Sequence, residues 1–190
     1  IIEQCKQDKK IRNYFLVAFG HINQKLDAEF YRNQIKEIVK AASDKHGFID
    51  WHNMKYLNRA LEPLIEKLES YKLSNNFEQA FFLSATLLEE MTKAFDFADD
   101  SNGDIGYFVD TALEALHDIV SSDNLDATLK KEIFEYCIQV YNKKLFLGWD
   151  WHLGILEVAE KLAKNETDVD LLISCLNKTE SDYQRERAQM

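Results

Sequence analysis

Apolar residues recur every three to four positions along most of the chain, which is the spacing of one face of an α-helix. The pattern is clearest in the segment that follows Asn75 and Asn76. Its apolar and small positions are Phe77, Ala80, Phe81, Ala85, Leu88, Met91, Ala94 and Phe95. We expect one long amphipathic helix here, with Asn75 or Asn76 as its N-cap, and the other helices packed against it.

The same spacing predicts further helices on both sides of this central one. They are expected to begin near Asp27, Asp50, Ile105, Asp126, Asp150, Thr167 and Thr179, after one or two short helices within residues 1–22. Most of these starts are Asp or Thr, whose side-chain oxygens bond the free amide groups of a first helical turn. Pro63 should kink the helix that contains it or mark a break near Leu61. The last two helices, after Thr167 and Thr179, are expected to be short and separate.

Long helices joined by short loops lie antiparallel to their neighbours. We therefore predict an all-α fold in which antiparallel helical hairpins stack as an α-α superhelix. The arrangement would be similar to tetratricopeptide repeats but degenerate, because no clean period of about 34 residues is present. One proline and six glycines also argue against a β-rich fold. We expect residues 1–190 to form a single helical-repeat domain, and the start at Ile1 favours a piece of a longer protein.

The segment after the central helix is acidic and turn-forming. Asp100, Asn102 and Asp104 occupy alternate positions, which is the opening spacing of a calcium-binding loop. That loop then requires Gly where this chain has Ile105 and Glu where it has Thr111, so two constrained positions do not fit. The alternative is a plain connection between two helices, with a turn residue capping the second one. A weak cation site and a helix connection both remain as hypotheses.

Negative charge is concentrated in one part of the chain. Eleven acidic residues and one lysine lie between Glu89 and Asp126, so that stretch alone carries the net charge of −10. A phosphate backbone would be repelled from it, and we expect this domain to contact no nucleic acid. We interpret the run as a solvated outer face. The alternative is a docking surface for a basic partner, with Asp96, Asp99, Asp100 and Asp104 as its candidate residues.

Cysteine usage and hydropathy indicate a compartment. Cys5, Cys137 and Cys175 are widely spaced and form no CxxC pair, so no disulfide framework is predicted. They suit small buried positions in a reducing environment. No apolar run approaches the length of a membrane span. We expect a cytoplasmic protein that contacts no membrane.

Catalytic motifs are absent from the sequence. It contains no GxGxxG, GxxxxGK[ST], GxSxG or HExxH pattern. Glu114 and His117 form one E-x-x-H pair, but a di-iron bundle needs a second such pair and two further glutamates. We therefore expect no catalytic residue, no cofactor and no metal ligand beyond the weak cation loop. The chain is predicted not to be an enzyme.

Three segments together resemble a known family. They are HGFIDW at 46–51, DDSNGDIG at 99–106 and LGWDW at 147–151. Their order and spacing resemble the helical region downstream of the zinc finger in bacterial SWIM zinc-finger proteins, over roughly residues 40 to 165. The family's zinc ligands, a CxC pair followed by a CxH pair, precede that region and do not occur here. The resemblance implies a parent protein whose zinc module is proposed to bind DNA or proteins, and it assigns no activity to the helices.

Two functions of different classes follow. The first is a non-catalytic module for protein–protein interaction, or for bracing other domains of its own chain. The second is a cation-binding module that holds calcium with the loop at 100–104. Calcium would raise the melting temperature in the second case, because a ligand that binds the native state stabilises it.

Overall fold

The computed structural model of this protein describes residues 26–143, 145–146 and 150–187, with side chains as far as Lys178. The helices predicted within residues 1–22, and residues 147–149 of the third family-like segment, lie outside this part. The described residues form seven α-helices and one short 3-10 turn, and they contain no strand, which confirms the all-α class. The helices are α1 (Ala28–Ala42), α2 (Trp51–Leu73), α3 (Phe77–Ala94), α4 (Asp104–Val120), α5 (Ala127–Asn142), α6 (Trp151–Leu162) and α7 (Glu166–Arg187), with the 3-10 turn at Phe95–Phe97.

Three of the predicted aspartate caps hold the starts of their helices. Asp27, Asp50 and Asp126 each accept hydrogen bonds of 2.7 to 3.3 Å from amide groups of the first turn. These bonds satisfy amide groups that have no partner within the helix. Local capping chemistry therefore sets where α1, α2 and α5 begin.

Two predicted helix boundaries do not occur. α2 runs through Pro63 without a break near Leu61, and the alternative of a kink stays a prediction. The proline removes one hydrogen bond, but Leu61 and Leu64 beside it are fully buried, and their packing holds the helix together. The expected pair of short final helices is also wrong, because α7 continues through Thr179. No glycine or proline occurs between Glu166 and Arg187 to end the helix there.

The chain divides into two compact units, Ile1–Ile119 and Val120–Met190. In the first unit, α1, α2 and α3 pack against one another. The hydroxyl groups of Tyr31, near the start of α1, and Tyr71, near the end of α2, are 2.9 Å apart. α1 and α2 therefore form an antiparallel hairpin.

α4 runs in the same direction as α2. Asn58 Nδ2, in the first half of α2, donates to Asp104 Oδ1, at the start of α4, at 2.6 Å. Further along both helices, Lys72 Nζ lies 2.7 Å from Asp118 Oδ2. The second contact follows the first by 14 residues on each helix (58 to 72 and 104 to 118), which requires a parallel arrangement.

α3 is the most deeply buried helix of the first unit. Twelve of its 18 residues are buried. Glu78 and Lys93 are exposed and Phe82 and Glu89 are half-buried, along one narrow stripe of the helix. The buried hydroxyls of Ser84, Thr86 and Thr92 donate to carbonyl oxygens one turn earlier, at 2.7 to 2.8 Å. These bonds allow polar side chains to lie in the core without an unmet donor. The central role predicted for this segment agrees with its position.

In the second unit, α5 and α6 form another antiparallel hairpin. The rings of Tyr141 and His152, at the end of α5 and the start of α6, are 6.3 Å apart. At the opposite end, Lys161 Nζ donates to Ser121 Oγ at 3.1 Å. α7 packs against both helices. Among the described helices, none is both long enough and apolar enough to cross a membrane.

Candidate interaction site

The acidic turn is tied to the loop between α1 and α2. The amide of Ile49 donates to the carbonyl of Phe97 at 2.9 Å, and the amide of Asp99 donates to the carbonyl of Ile49 at 2.8 Å. Together they make a single parallel bridge between Ile49 and Ala98. Ile49 is fully buried beneath this bridge. Two of the three family-like segments are thus joined to each other, and the acidic turn is held against the first unit.

Asp100 caps α4 from a position outside the helix. Its Oδ1 accepts from the amide of Ile105 at 2.7 Å, and its Oδ2 accepts from the amide of Gly106 at 3.3 Å. The carbonyl of Asp100 accepts from the amide of Gly103, whose φ of +75° suits glycine. Because glycine occupies the position directly before the helix, an aspartate further back supplies the capping oxygens.

The other predicted surface acids differ in exposure. Asp99 is half-buried, and its Oδ1 accepts from the hydroxyl and the amide of Ser101. Both bonds lower the pKa of Asp99, and the bond from the Ser101 hydroxyl has the larger effect. Asp104 is half-buried and bonded to Asn58. Asp96 is exposed. Of the four candidate docking acids, the structure leaves Asp96 exposed and holds Asp99, Asp100 and Asp104 partly buried in local hydrogen bonds.

The loop at 100–104 does not bring its candidate cation ligands together with other acids. Within the described ranges, no group of three or more His, Cys, Asp or Glu side chains is arranged to hold a metal ion. That statement also covers Glu114 and His117. Both carboxylate oxygens of Asp100 accept from α4, while Asn102 is exposed. The calcium hypothesis stays a prediction, and the contacts of Asp100 assign it a helix-capping role.

A row of exposed acidic residues lies on α4. Asp110, Glu114 and Asp118 are exposed at successive turns of this helix, and they share one face because they are four residues apart. Asp118 pairs with Lys72, which also pairs with Glu69 at 2.9 Å. Burial acts to lower the pKa of Lys72, but the hydrogen bonds to Asp118 and Glu69 raise it. This face, rather than the preceding turn, presents a row of carboxylates to solvent.

These three residues belong to the acidic run that the sequence shows, but they are not among the four docking residues predicted from it. Their spacing of four is visible in the sequence and could have identified them. The turn residues instead match the opening spacing of a calcium loop. Their use in capping bonds became evident only in the folded chain.

No family model, curated protein or solved structure matches this chain. The likeness of its three segments to SWIM zinc-finger proteins therefore remains a prediction. Any functional conclusion has to be drawn from the surfaces described above.

Proposed function

We propose that this chain is a non-catalytic helical module for protein–protein interaction, which binds a basic segment on the outer face of α4. The segment would belong to another protein or to a further part of the same chain, in which case the module acts as an internal scaffold. The antiparallel helices within each unit support the finer proposal that helical hairpins stack as a superhelix. The proposed likeness to SWIM zinc-finger proteins agrees with the scaffolding form.

The row of acids on α4 is the observation that carries this proposal. Like charges four residues apart on a helix destabilise it by about 0.2–0.5 kcal/mol per pair. Asp118 recovers part of that cost through Lys72, but Glu114 has no ion-pair partner among the described residues. A basic partner would relieve the repulsion and gain complementary contacts. The row is therefore explained better by binding than by the stability of the isolated helix.

An exposed aromatic side chain extends the same region. Tyr107 is 59% exposed and lies one turn before Asp110 on α4. Tyrosine is enriched at protein interfaces because it offers a large apolar ring and a polar hydroxyl. A partner segment that combines basic and apolar residues fits this surface better than a purely basic one.

Affinity capture with a matched pair of variants tests the proposal. The chain serves as bait in a lysate, and retained proteins are quantified by mass spectrometry. Asp110→Asn/Glu114→Gln removes two charges from the acidic face. Glu62→Gln/Glu66→Gln removes two charges of the same spacing from an exposed face of α2.

We expect the wild-type chain and the α2 variant to retain a protein with a Lys- and Arg-rich segment, and the α4 variant to lose it. Binding of that purified segment should weaken as salt concentration rises, because exposed charges are screened. An identical set of captured proteins for all three baits, or no retained protein for the wild-type chain, would contradict the proposal.

A further inference from the structure

A groove in the first unit is positively charged although the chain as a whole is acidic. It lies between the C-terminal half of α1, the loop that follows α1 and the end of α3, and its volume is about 490 Å³. The charged residues that line it are Lys36, Lys40, Lys45, Lys93, Asp44 and Glu90. Four lysines and two acidic residues thus line the groove. Which of the lysines can bind a ligand depends on the contacts that Asp44 and Glu90 already make.

Glu90 is already neutralised in the wall of the groove. Its side chain is 7% exposed, and its Oε1 accepts from Arg32 Nη1 at 2.8 Å and from Lys93 Nζ at 2.7 Å. Arg32 Nη1 also lies 2.9 Å from Glu89 Oε2. Burial acts to lower the pKa of Arg32, but the bonds to Glu89 and Glu90 raise it above its usual range. The two glutamates are therefore matched by Arg32 and Lys93.

The carboxylate of Asp44 accepts hydrogen bonds from the backbone of its own loop. Its Oδ1 accepts from the amide of His46 at 2.7 Å and from the amide of Phe48 at 3.0 Å. Both bonds lower the pKa of Asp44, and the bond from the amide of Phe48 has the larger effect. No described ion pair joins Asp44 to a lysine of the groove. Its carboxylate stabilises the turn and leaves the lysines available.

Three lysines remain open to a ligand. Lys36 and Lys45 have no ion-pair partner in the part of the chain that the structure describes. Lys40 lies 3.9 Å from Glu37, but the two side chains are 80% and 66% exposed. An exposed pair at that distance contributes little. Lys36, Lys40 and Lys45 carry three positive charges against the one negative charge of Asp44, so the groove keeps a net positive charge that attracts an anion.

We propose that this groove binds an acidic peptide segment with carboxylates at alternate positions. Lys36 and Lys40 are one turn apart, which corresponds to about 6 Å along α1. Alternate side chains of an extended peptide point to the same side about 7 Å apart. Two carboxylates two residues apart therefore match the two ammonium groups, and Lys45, in the loop after α1, offers a third position. The inference rests on the proposed function, because its ligand is a segment of a protein partner.

A peptide fits this groove better than a nucleic acid. Proteins that bind nucleic acid strongly contact about 6–10 phosphates, whereas three lysines are available here. The chain also carries a net charge of −10, which repels a long phosphate backbone. A short segment with two or three carboxylates needs only the local charge of the groove.

Fluorescence anisotropy of a labelled peptide tests this inference on the full chain. The peptide carries three glutamates at alternate positions of a Gly/Ser sequence, and a second peptide carries glutamine instead. Lys36→Glu/Lys40→Glu reverses two charges of the groove. Lys55→Glu/Arg59→Glu is the matched control, with the same charge change and spacing on an exposed face of α2.

We expect the glutamate peptide to bind the wild-type chain and the glutamine peptide to bind far more weakly. The α1 variant should weaken binding by about tenfold or more, and the α2 control by less than about twofold at moderate salt. No binding at millimolar peptide, or equal weakening by both variants, would overturn the inference. Equally tight binding of a single-stranded oligonucleotide would also overturn it and identify a general phosphate-binding surface.

The two proposals fail separately. If a partner is captured through the α4 face but the glutamate peptide does not bind, the groove is wrong and the proposed function stands. If the peptide binds through Lys36 and Lys40 but no partner depends on α4, the proposed α4 surface is wrong. A captured partner with an acidic segment, retained by the wild-type chain and lost by Lys36→Glu/Lys40→Glu, would support the groove directly.

Discussion

A chain of side-chain hydrogen bonds joins three helices at the start of α1. The Tyr31 hydroxyl is buried and donates to Gln79 Oε1 at 2.8 Å, so the Tyr71 hydroxyl is left to donate to Tyr31 at 2.9 Å. Gln79 Nε2 in turn donates to the carbonyl of Leu26 at 2.8 Å. Burial raises the pKa of Tyr31, which keeps its hydroxyl protonated as a donor. One buried phenol thus links α1, α2 and α3.

The positions of Tyr31 and Tyr71 in this series of hydrogen bonds predict which of the two hydroxyls contributes more to the free energy of unfolding. Tyr31→Phe should lower the free energy of unfolding by about 1–2 kcal/mol, because it leaves the oxygen of Gln79 without its donor. Tyr71→Phe should cost less, because Tyr31 then keeps its bond to Gln79. Urea denaturation followed by circular dichroism measures both values. An equal or reversed order would show that the bond to Gln79 is not the stronger link.

The cap of α5 predicts a dependence on acid. Hydrogen bonds from the amides of Thr128 and Leu129 lower the pKa of Asp126 in the folded chain. The stabilisation is therefore complete above the ordinary aspartate pKa of about 3.9 and is lost as the pH falls through the lower folded value. Melting temperatures from pH 6 down to pH 2 should fall more steeply for the wild-type chain than for Asp126→Asn. Asp123→Asn, in the same loop but outside the cap, should behave like the wild-type chain.

At the scale of the helices, the sequence was informative where the chemistry is local. Asp27, Asp50 and Asp126 identify the starts of their helices because a cap needs only the next three residues. The predicted break near Leu61 does not occur because the buried Leu61 and Leu64 hold α2 together. The helix start predicted at Thr179 is wrong because no glycine or proline ends α7 before it. The bridge between Ile49 and Ala98 joins residues that are distant in the chain, so no local sequence pattern predicts it.

The candidate surfaces show the same division. The spacing of Asp110, Glu114 and Asp118 is legible in the sequence, because a helix places such residues on one face. The spacing of Lys36 and Lys40 on α1 is legible in the same way. The groove beside them is not, because Glu90 and Lys93 in its other wall belong to α3, which packs against α1 only in the folded chain. Surfaces formed by one helix can thus be predicted, whereas a groove formed between helices requires the fold.

Substitutions in the turn before α4 distinguish a helix-capping role of Asp100 from a cation-binding role. Asp100→Ala should lower the free energy of unfolding by about 1 kcal/mol, because two amides of α4 lose their acceptor. Asn102→Ala should change it little, since Asn102 is exposed. Thermal melts with millimolar calcium or with a chelator should give the same midpoint for the wild-type chain. A midpoint raised by calcium, and no longer raised in either variant, would support the cation loop instead.

At the scale of the whole molecule, the division into two units falls inside a helix. Ile119 and Val120 lie on either side of it, both in the last turn of α4, and both are buried. Boundaries between independent domains usually fall in exposed, flexible linkers. This boundary does not lie in such a linker, and the single-domain organisation stays a prediction.

A pair of core substitutions tests whether the two units unfold together. Leu87→Ala in α3 and Ile133→Ala in α5 each remove a fully buried side chain and should cost about 2–5 kcal/mol. In a single domain, both substitutions lower the midpoint of one calorimetric transition, and the calorimetric and van't Hoff enthalpies agree. Two transitions, each lowered by one substitution, would instead establish two independent domains.

The burial of twelve of the 18 residues of α3 also determines how fast its amide hydrogens exchange in deuterated water. A helix with a wide face on solvent exchanges its amide hydrogens through small local openings, but the buried residues of α3 expose theirs only when the neighbouring helices separate from it. Its amides should therefore be among the slowest to take up deuterium, at a rate that reports the opening of the whole first unit. The rate of deuterium uptake by α3 thus reports whether the first unit stays folded after a substitution, on peptide binding or in a different solvent.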